Sequence, residues 1–352
     1  MLNVIPTSFY QATTLALILL SSSSAAASER WPAQTWQPGQ DKPASASQWQ
    51  PLARLDDTEA HYRLCALYPH LKDSYWLSIH AGMLEQAQAM GVALISMDAG
   101  GYQQLDTQLD QLAECERLQA DAILLGSVSY RLSEPVKAAA RQRPVLAIVN
   151  EVEPGVVRST IGVPWLAMGQ NLARQLNQIA AQPLQVLLML GPVTRGGNAF
   201  LSRGLKSDLQ PNVTVIDALS GENSLAIQRR LLRQYLAAHP APDVIVCGAV
   251  CAEMAMAELE TRGLSVPILS SYFSHAVYQG LKQQRLIMAN SDQMKLQGRM
   301  AVDLALRALQ GETLPAALGP EILTVTPATL TELGEETLSA ADFRAQYRWQ
   351  PE

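Results

Sequence analysis

The sequence predicts an α/β protein with two doubly wound lobes, each built around a parallel sheet. Its 352 residues exceed what a single hydrophobic core usually serves, so two domains are expected. Short apolar runs alternate with segments of helical periodicity, which is typical of βαβ units. The spacing of these runs in the first half of the chain recurs in the second half, and this repetition predicts two copies of one lobe.

The composition excludes several classes of protein. Apolar residues make up 48% of the chain, which is enough for large cores and excludes a disordered chain. Charged residues make up 16%, against roughly 25% in an average soluble domain. The formal net charge is −6 and no cluster of Lys and Arg stands out, so binding to nucleic acid is not expected.

Eight apolar runs are predicted to be strands, in two series of four. The first series begins at Arg63 (RLCALY), Val92 (VALISM), Ala122 (AILLGS) and Pro144 (PVLAIV), with offsets of 29, 30 and 22 residues. The second series begins at Gln185 (QVLLML), Val213 (VTVIDA), Val244 (VIVCGA) and Pro267 (PILSSY), with offsets of 28, 31 and 23 residues. Each βα repeat needs one strand, one crossover helix and two loops, so the similar offsets indicate two lobes of the same design.

The segments between the runs have the periodicity of helices. In the helix after the first run, Asp73 or Ser74 is expected to cap the N-terminus and Gly91 to end the helix. After the second run, an apolar stripe at helical spacing predicts a helix that covers the sheet. The stripe consists of Leu105, Leu109, Leu112, Cys115 and Leu118.

The N-terminus is predicted to be a cleaved signal peptide, residues 1–27. Residues 13–20 (TTLALILL) form a short apolar segment, and three alanines at residues 25–27 suit cleavage after Ala27. The apolar segment is far shorter than the ~20 residues that span a bilayer, so we expect export rather than a membrane anchor. Residues 28–61 show no periodicity and are expected to form an extended arm, held in place by Trp31, Trp36 and Trp49.

The chain carries no recognisable catalytic or metal-binding motif. No GxGxxG fingerprint follows a predicted strand, and neither a GxSxG elbow nor an HExxH pair is present. Residues 191–198 (GPVTRGGN) imitate a P-loop, but Gly197 and Asn198 stand where the phosphate-binding Lys and the Mg²⁺-binding Ser or Thr belong. The five histidines are scattered and lack the spacing of metal ligands. We therefore expect a protein that is not an enzyme and that uses no cofactor.

Two of the four cysteines are candidates for a disulfide. Cys65 lies in the first predicted strand and Cys115 on the apolar stripe of the second helix, so they can be bridged if their Cα atoms come within about 7 Å. Free buried thiols are the alternative. Cys247 and Cys251 are not spaced as a CxxC redox motif, so they are expected to have packing roles.

Aromatic residues follow several predicted strands directly. Trp76 and Trp165 lie between a strand and the next helix, while Tyr102 and Tyr272 follow the second and eighth strands. In open parallel sheets the ligand crevice lies beyond the carboxyl ends of the strands, so these four rings are expected to converge there. A box of aromatic faces suits a methylated ammonium group, to which Asp73 can add a counter-charge. Alternatively, the rings cap strand ends or stack on a sugar.

Several segments together resemble a known protein family. They are residues 64–78 (LCALYPHLKDSYWLS), 99–102 (AGGY), 162–165 (GVPW), 274–281 (SHAVYQGL) and 291–294 (SDQM). With them the sequence resembles the periplasmic trimethylamine N-oxide sensors, which are type I periplasmic binding proteins. The likeness runs from about Leu64 to Pro327, and the arm and the tail outside it resemble this family weakly or not at all.

The resemblance implies a fold in which a three-strand hinge joins the two lobes. The chain is expected to cross between the lobes near residues 159–165, 289–292 and 321–326. Lobe I then comprises residues 62–160 plus 292–322, and lobe II comprises residues 161–291 plus 323–345. The ligand lies between the lobes, which close on it about the hinge.

The resemblance also implies a ligand, a partner and a set of site residues. The ligand is trimethylamine N-oxide, and the partner is the periplasmic sensor domain of a TorS-like histidine kinase. Asp292 is a weaker candidate, either for ligand binding or for the hinge. The residues expected to surround the trimethylammonium group are Tyr75, Trp76, Tyr102, Trp165 and Tyr272, with Asp73 close to it.

We therefore expect a ligand sensor of the periplasm that acts in two-component signal transduction through an aromatic cage and hinge closure. The alternative is a substrate-binding protein that supplies a sugar or another small polar solute to an ABC transporter. Sugar sites usually carry several Asp, Asn and Arg side chains, whereas the loops after the predicted strands are richer in aromatic residues.

Overall fold

The structure is a computed structural model that describes residues 1, 30–39, 48–49, 51–55, 61–192, 197–333 and 337–351. The predicted signal peptide, residues 1–27, lies outside the described residues except for Met1, as do parts of the predicted arm. Where the chain is described, no helix has the length and apolar content needed to cross a bilayer.

The described residues form strands of two to six residues. In chain order, they are β1 (Arg30–Trp31), β2 (Gln34–Trp36), β3 (Gln48–Trp49), β4 (Leu52–Ala53), β5 (Arg63–Tyr68), β6 (Ala93–Asp98), β7 (Ala122–Leu125), β8 (Val145–Ile148), β9 (Ser159–Ile161), β10 (Leu184–Met189), β11 (Val213–Ala218), β12 (Val244–Cys247), β13 (Ile268–Ser270), β14 (Met288–Ser291), β15 (Ala317–Gly319), β16 (Leu323–Val325) and β17 (Arg348–Trp349).

The α-helices of the same ranges lie mostly between these strands. They are α1 (Ser74–Ala89), α2 (Leu105–Arg117), α3 (Glu134–Gln142), α4 (Trp165–Ile179), α5 (Asn198–Ser207), α6 (Leu225–Ala238), α7 (Ala249–Thr261), α8 (His275–Lys282) and α9 (Met294–Leu309).

Two large sheets organise the molecule. The first has the order β17-β6-β5-β7-β8-β9-β15-β2-β3, and its central strands from β6 to β15 are parallel. The second has the order β11-β10-β12-β13-β14-β16, parallel except for the last pair. The eight predicted strands form β5–β8 in the first sheet and β10–β13 in the second, which confirms the two-lobed α/β fold.

The apolar stripe predicted on α2 is only partly correct. Leu112 and Cys115 are buried, but Leu105 is exposed. The buried residues of α2 are Gln108, Leu112 and Cys115, so its buried face begins about one turn after Leu105, the first residue of the helix. The limits predicted for α1 hold, because Asp73 is its N-cap and Gly91 follows its C-cap with a φ of +61°.

Each lobe holds one pair of helices at backbone contact. A Cβ atom added to Gly82 of α1 would lie 2.0 Å from a backbone oxygen of α9, and one added to Gly298 of α9 would lie 2.1 Å from a backbone oxygen of α1. In the second lobe, Gly169 of α4 and Gly204 of α5 are equally close to the partner helix. The two lobes therefore share glycine-mediated close packing of two helices, as well as the spacing of their strands.

The chain passes between the sheets three times in the regions predicted. It leaves β9 for α4, leaves β14 for α9, and runs from β15 directly to β16. The tail then makes a fourth passage that the predicted crossings do not include. The backbone N–H of Ser339 donates to Ser78 Oγ of α1 over 2.9 Å, and β17 pairs with β6 of the first sheet. The predicted residue limits of the two lobes stay a prediction.

The arm is bound to the first lobe through a buried carboxylate. Asp303 of α9 is completely buried and accepts hydrogen bonds from Trp31 Nε1 over 2.9 Å and from Arg307 Nε over 2.7 Å. The strand β2 pairs with β15 and so extends the first sheet, which buries Trp36. Trp31 and Trp36 thus hold the arm in the way expected of them.

The cysteines fall into one bridged pair and one free pair. Cys65 of β5 and Cys115 of α2 form a disulfide, with their Cα atoms 5.9 Å apart. Cys247 and Cys251 are free and buried.

Candidate functional site

The candidate site is a cavity where the carboxyl ends of strands from both sheets face each other. Its volume is about 40 Å³. Since one water needs roughly 10–15 Å³ on this measure, the cavity has room for a few waters or one small molecule. We call it the aromatic cavity, and its lining residues are His70, Asp73, Tyr75, Trp76, Tyr102, Val149, Asn150, Trp165, Pro192, Gly197, Asn198, Asn223 and Tyr272. They include all six residues placed there from the sequence: Asp73, Tyr75, Trp76, Tyr102, Trp165 and Tyr272.

The first turn of α1 supplies one wall of the aromatic cavity. Asp73 caps this helix, since its Oδ1 accepts a hydrogen bond from the backbone N–H of Trp76 over 3.1 Å. The cap fixes Tyr75 and Trp76 at the start of the helix, where their rings meet edge to face with centroids 5.8 Å apart. The second carboxylate oxygen of Asp73 lies 4.0 Å from His70 Nε2.

Trp165, the first residue of α4, supplies a wall from the second lobe. Its indole Nε1 donates to the backbone oxygen of Val149 over 2.9 Å, which fixes the orientation of the ring. Val149 has a φ of +65°, a conformation that a β-branched residue adopts only under strain. Gly197 packs against the indole, and a Cβ atom there would lie 1.8 Å from Trp165 Cδ2. Both neighbours thus hold this ring in one position.

The two lobes touch directly at two tyrosines of the aromatic cavity. The rings of Tyr75 from α1 and Tyr272 from the loop after β13 are 5.2 Å apart and nearly perpendicular. Tyr272 also lies against Gly248, where a Cβ atom would come within 2.9 Å of its ring. The loop after β6 adds Tyr102, whose ring packs edge to face on His70 at 5.7 Å.

The tyrosine hydroxyls of the aromatic cavity stay protonated at neutral pH. Burial raises the pKa of Tyr102 to about 12, against the opposing effect of its hydrogen bond with Asn150. Burial also raises the pKa values of Tyr75 and Tyr272 well above that of an exposed tyrosine. All three hydroxyls therefore remain hydrogen-bond donors.

Asp292 lies behind the aromatic cavity and not in its wall. Its carboxylate accepts hydrogen bonds from the Tyr75 hydroxyl over 2.6 Å and from Gln297 Nε2 over 2.8 Å. Burial raises the pKa of Asp292, although both hydrogen bonds act to lower it. This weaker candidate from the sequence therefore contacts Tyr75, while a direct contact with a ligand stays a prediction.

Most of the chain matches one protein family. Residues 61–346 match the family model described as periplasmic binding proteins and sugar binding domain of LacI family. The chain belongs to the periplasmic binding protein family.

Three members of this family, or structures of them, illustrate the likeness. Periplasmic protein TorT of Escherichia coli (strain K12) is 43% identical over 292 residues, covering 82% of this chain and 85% of TorT. The crystal structure of the TorS sensor domain–TorT complex in the presence of trimethylamine N-oxide matches with a TM-score of 0.72 and 31% identity, over 81% of this chain and 99% of the other. An ABC transporter solute binding protein from Bradyrhizobium sp. BTAi1, with bound Bis-Tris, matches with a TM-score of 0.77 and 26% identity, over 90% and 98%.

Polar residues share the cavity wall with the aromatic ones, and the sequence analysis did not predict them. They are His70, Asn150, Asn198 and Asn223. All but Asn198, which begins α5, lie in loops after strands β5, β8 and β11. The aromatic residues were predicted because they directly follow strands of a parallel sheet. The same criterion, applied to polar side chains, would have found those three.

Metal-binding groups do not explain this cavity. In the described ranges, no three His, Cys, Asp or Glu residues are grouped as metal ligands would be. What the aromatic cavity offers is π faces, one carboxylate and a few hydrogen-bonding groups, which suits binding of a small molecule.

Proposed function

We propose that this protein is a periplasmic sensor that binds trimethylamine N-oxide in the aromatic cavity and signals to a TorS-like histidine kinase. The observation that carries the proposal is the enclosure of a cavity of about 40 Å³ by five aromatic side chains from both lobes. The 43% identity to TorT, and the likeness to TorT in a complex with the TorS sensor domain, support the choice of ligand and partner.

The chemistry of the cavity walls suits the methylated end of this ligand. The nitrogen of trimethylamine N-oxide is positive and its methyl groups spread that charge over an apolar surface. Such a surface is attracted to aromatic faces and needs less desolvation than a bare ammonium group. The carboxylate of Asp73 at the edge of the cavity adds attraction for the same end.

The oxide oxygen needs a hydrogen-bond donor, and the geometry favours Tyr272. The indole N–H of Trp165 is used by Val149 and the hydroxyl proton of Tyr75 by Asp292. Burial raises the pKa of the Tyr272 hydroxyl, so this group keeps a proton that it can donate to a ligand, and the backbone of Val250 acts in the opposite direction, as a donor to the hydroxyl oxygen does. Replacing Tyr272 by Phe should weaken binding of the N-oxide, while Tyr278→Phe on the neighbouring helix should not.

Signalling follows if the ligand binds the closed arrangement of the lobes more tightly than the open one. A ligand between Tyr75 of one lobe and Tyr272 of the other contacts both only when the lobes are close. It therefore shifts the population toward the closed form by its differential affinity. The kinase would respond to that population.

The alternative function, a solute-binding protein of an ABC transporter, is favoured by two observations. One is the structural likeness to the Bradyrhizobium protein, and the other is the presence of Asn150, Asn198 and Asn223 on the cavity wall. Asparagines of this kind bind hydroxyl groups of sugars. The five aromatic side chains that line the aromatic cavity argue for the methylated ligand.

Isothermal titration of the mature protein distinguishes the two functions. We expect saturable binding of trimethylamine N-oxide, weaker binding of trimethylamine and no response to ribose. Trp165→Ala should weaken binding of the N-oxide about thirtyfold, because one desolvated ring face is worth about 2 kcal/mol. Tyr347→Ala, at a half-exposed ring of the tail, is the control. Binding of ribose without binding of the N-oxide would overturn the proposal, and pull-down with the sensor domain of the kinase tests the partner.

A further inference from the structure

A second and larger cavity lies outside the aromatic cavity and shares part of its wall. This outer cavity has a volume of about 780 Å³. Six residues line both cavities: His70, Asp73, Tyr75, Tyr102, Asn223 and Tyr272. A molecule whose head fills the aromatic cavity can therefore extend a tail into the outer cavity.

The walls of the outer cavity carry more acidic than basic groups. Asp73 comes from the first lobe, and Glu222 and Glu253 come from the second. Lys72 is the lysine of this wall, and its Nζ donates to the backbone oxygen of Gly100 over 2.6 Å. The wall also holds His70 and His275, and the Nε2 atom of His275 lies 3.0 Å from the backbone oxygen of Ser339.

The acidic groups act on the aromatic cavity itself. Glu222 reaches across the mouth, where Gln103 of the first lobe donates to its carboxylate over 3.3 Å. Burial is the main cause of the raised pKa of the Tyr102 hydroxyl, and the charges of Asp73 and Glu222 raise this pKa further. The negative potential of the outer cavity therefore extends to the place where an ammonium head would lie.

We propose that the two cavities form one extended site for trimethylammonium compounds with a neutral polar tail, of which choline is the simplest probe. The inference rests on the proposed function, because it uses the same aromatic cavity for the methylated head. It adds a ligand class that carries a full positive charge, which the N-oxide lacks.

The acidic wall also predicts which compounds are rejected. Glycine betaine has the same head, but its tail ends in a carboxylate. That carboxylate would lie among Asp73, Glu222 and Glu253, where like charges repel it. Choline has a hydroxyl in the same place and can use the acidic side chains as hydrogen-bond acceptors. Selectivity for choline over betaine is thus the signature of the extended site.

Titration of the full mature protein with three separate compounds tests this inference. We expect choline to bind more tightly than glycine betaine, by about tenfold or more in dilute buffer. Raising the salt concentration should weaken choline binding, since the wall is open to solvent and its charges are screened. The affinity for trimethylamine N-oxide, which has no net charge, should respond less to salt.

Variants on one helix identify the acidic wall as the cause. Glu253→Gln on α7 should lower the ratio of choline affinity to N-oxide affinity by about two- to fivefold, the range of an exposed ion pair. Glu260→Gln makes the same charge change on the same helix, but Glu260 pairs with Arg285 and lies outside both cavities. It should leave the ratio unchanged.

The outcomes separate this inference from the proposed function. Binding of the N-oxide with no binding of choline overturns the extended site and leaves the proposed function intact. Binding of choline without the N-oxide supports the extended site and overturns the proposed ligand. Equal affinities for choline and betaine, or equal effects of the two glutamine variants, would also overturn the inference. If none of the three compounds binds, both proposals fail.

Discussion

The hydroxyl of Tyr75 donates a 2.6 Å hydrogen bond to Asp292, which lies 217 residues further along the chain. Tyr75 lines the aromatic cavity, and Asp292 follows β14, where the chain crosses between the lobes. The bond therefore ties the position of a cavity ring to the conformation of a crossing segment. A movement of one cannot leave the other unchanged.

Replacement of Asp292 by Asn should flatten the pH dependence of stability. Burial raises the pKa of Asp292, so the folded state binds its proton more readily than the unfolded state. A carboxyl of this kind makes the folded protein less stable as the pH rises from about 4 through the raised pKa. The melting temperature of Asp292→Asn, relative to that of the wild type, should therefore be higher at pH 7 than at pH 4. A difference that does not change with pH would contradict this.

Gly197→Ala should weaken ligand binding through Trp165. The added methyl group would overlap the indole, which must then leave its position in the cavity wall. The backbone of Gly197 has a φ of −95°, so alanine is tolerated there on backbone grounds. Titration should show at least about a tenfold loss of affinity, as expected for a displaced ring face.

The double variant Gly197→Ala/Trp165→Ala provides the control for that experiment. Once the indole is absent, the methyl group has nothing to displace. The double variant should bind no more weakly than Trp165→Ala alone, and a further loss would show that Gly197 acts by another route.

Removal of the disulfide should lower stability without changing ligand affinity. The bridge closes a loop of 50 residues, for which chain entropy gives about 4 kcal/mol of stabilisation. Cys65 and Cys115 belong to a core cluster separate from the one that contains Tyr75, Trp76 and Trp165. The double variant Cys65→Ala/Cys115→Ala should unfold at lower urea concentration and bind the ligand as the wild type does. A large loss of affinity in the folded variant would refute this separation.

Mild acid should release the tail from the first lobe. Burial lowers the pKa of His80 to about 4, and the backbone N–H of Gln346 donates to its Nε2 over 3.2 Å. The neutral imidazole contributes stability that is fully present above the ordinary pKa of about 6.5 and is lost as the pH falls toward 4. Hydrogen exchange in residues 346–349, corrected for intrinsic rates, should be faster at pH 5 than at pH 7.

A second histidine serves as the control for the tail. His239, at the end of α6 in the second lobe, stacks on Tyr235, whereas β17 of the tail pairs with β6 of the first sheet. His80→Phe should remove the pH dependence of exchange in the tail, whereas His239→Gln should keep it. Tail exchange that is independent of pH in the wild type would rule out a role for His80.

Much of the fold could be predicted because its causes are local. The apolar runs of β5–β8 and β10–β13 are bounded by polar loops, and their spacing is that of βαβ units. The strands that pair across long distances could not be found in this way. β2, β15 and β17 have two or three residues each, too few to show a period. Their pairing depends on where the rest of the chain places them.

The site was predictable in part for a similar reason. The topology of a parallel sheet brings the loops after its strands together, so the position of Trp76 or Tyr272 in sequence predicts its place in the cavity. The role of Gly197 was not predictable, because only the folded chain brings it against Trp165. The strain at Val149 was hidden likewise, since the residue type argues against a positive φ.

The tail of the chain affects how the two lobes can separate, because one of its residues is bonded to both. Ser339 donates from its backbone to Ser78 of the first lobe and accepts through its carbonyl from His275 of the second. Ser339 thus connects the two lobes through one hydrogen bond to each. If the lobes separate, one of these two hydrogen bonds must break, and the tail stays with the lobe whose bond remains.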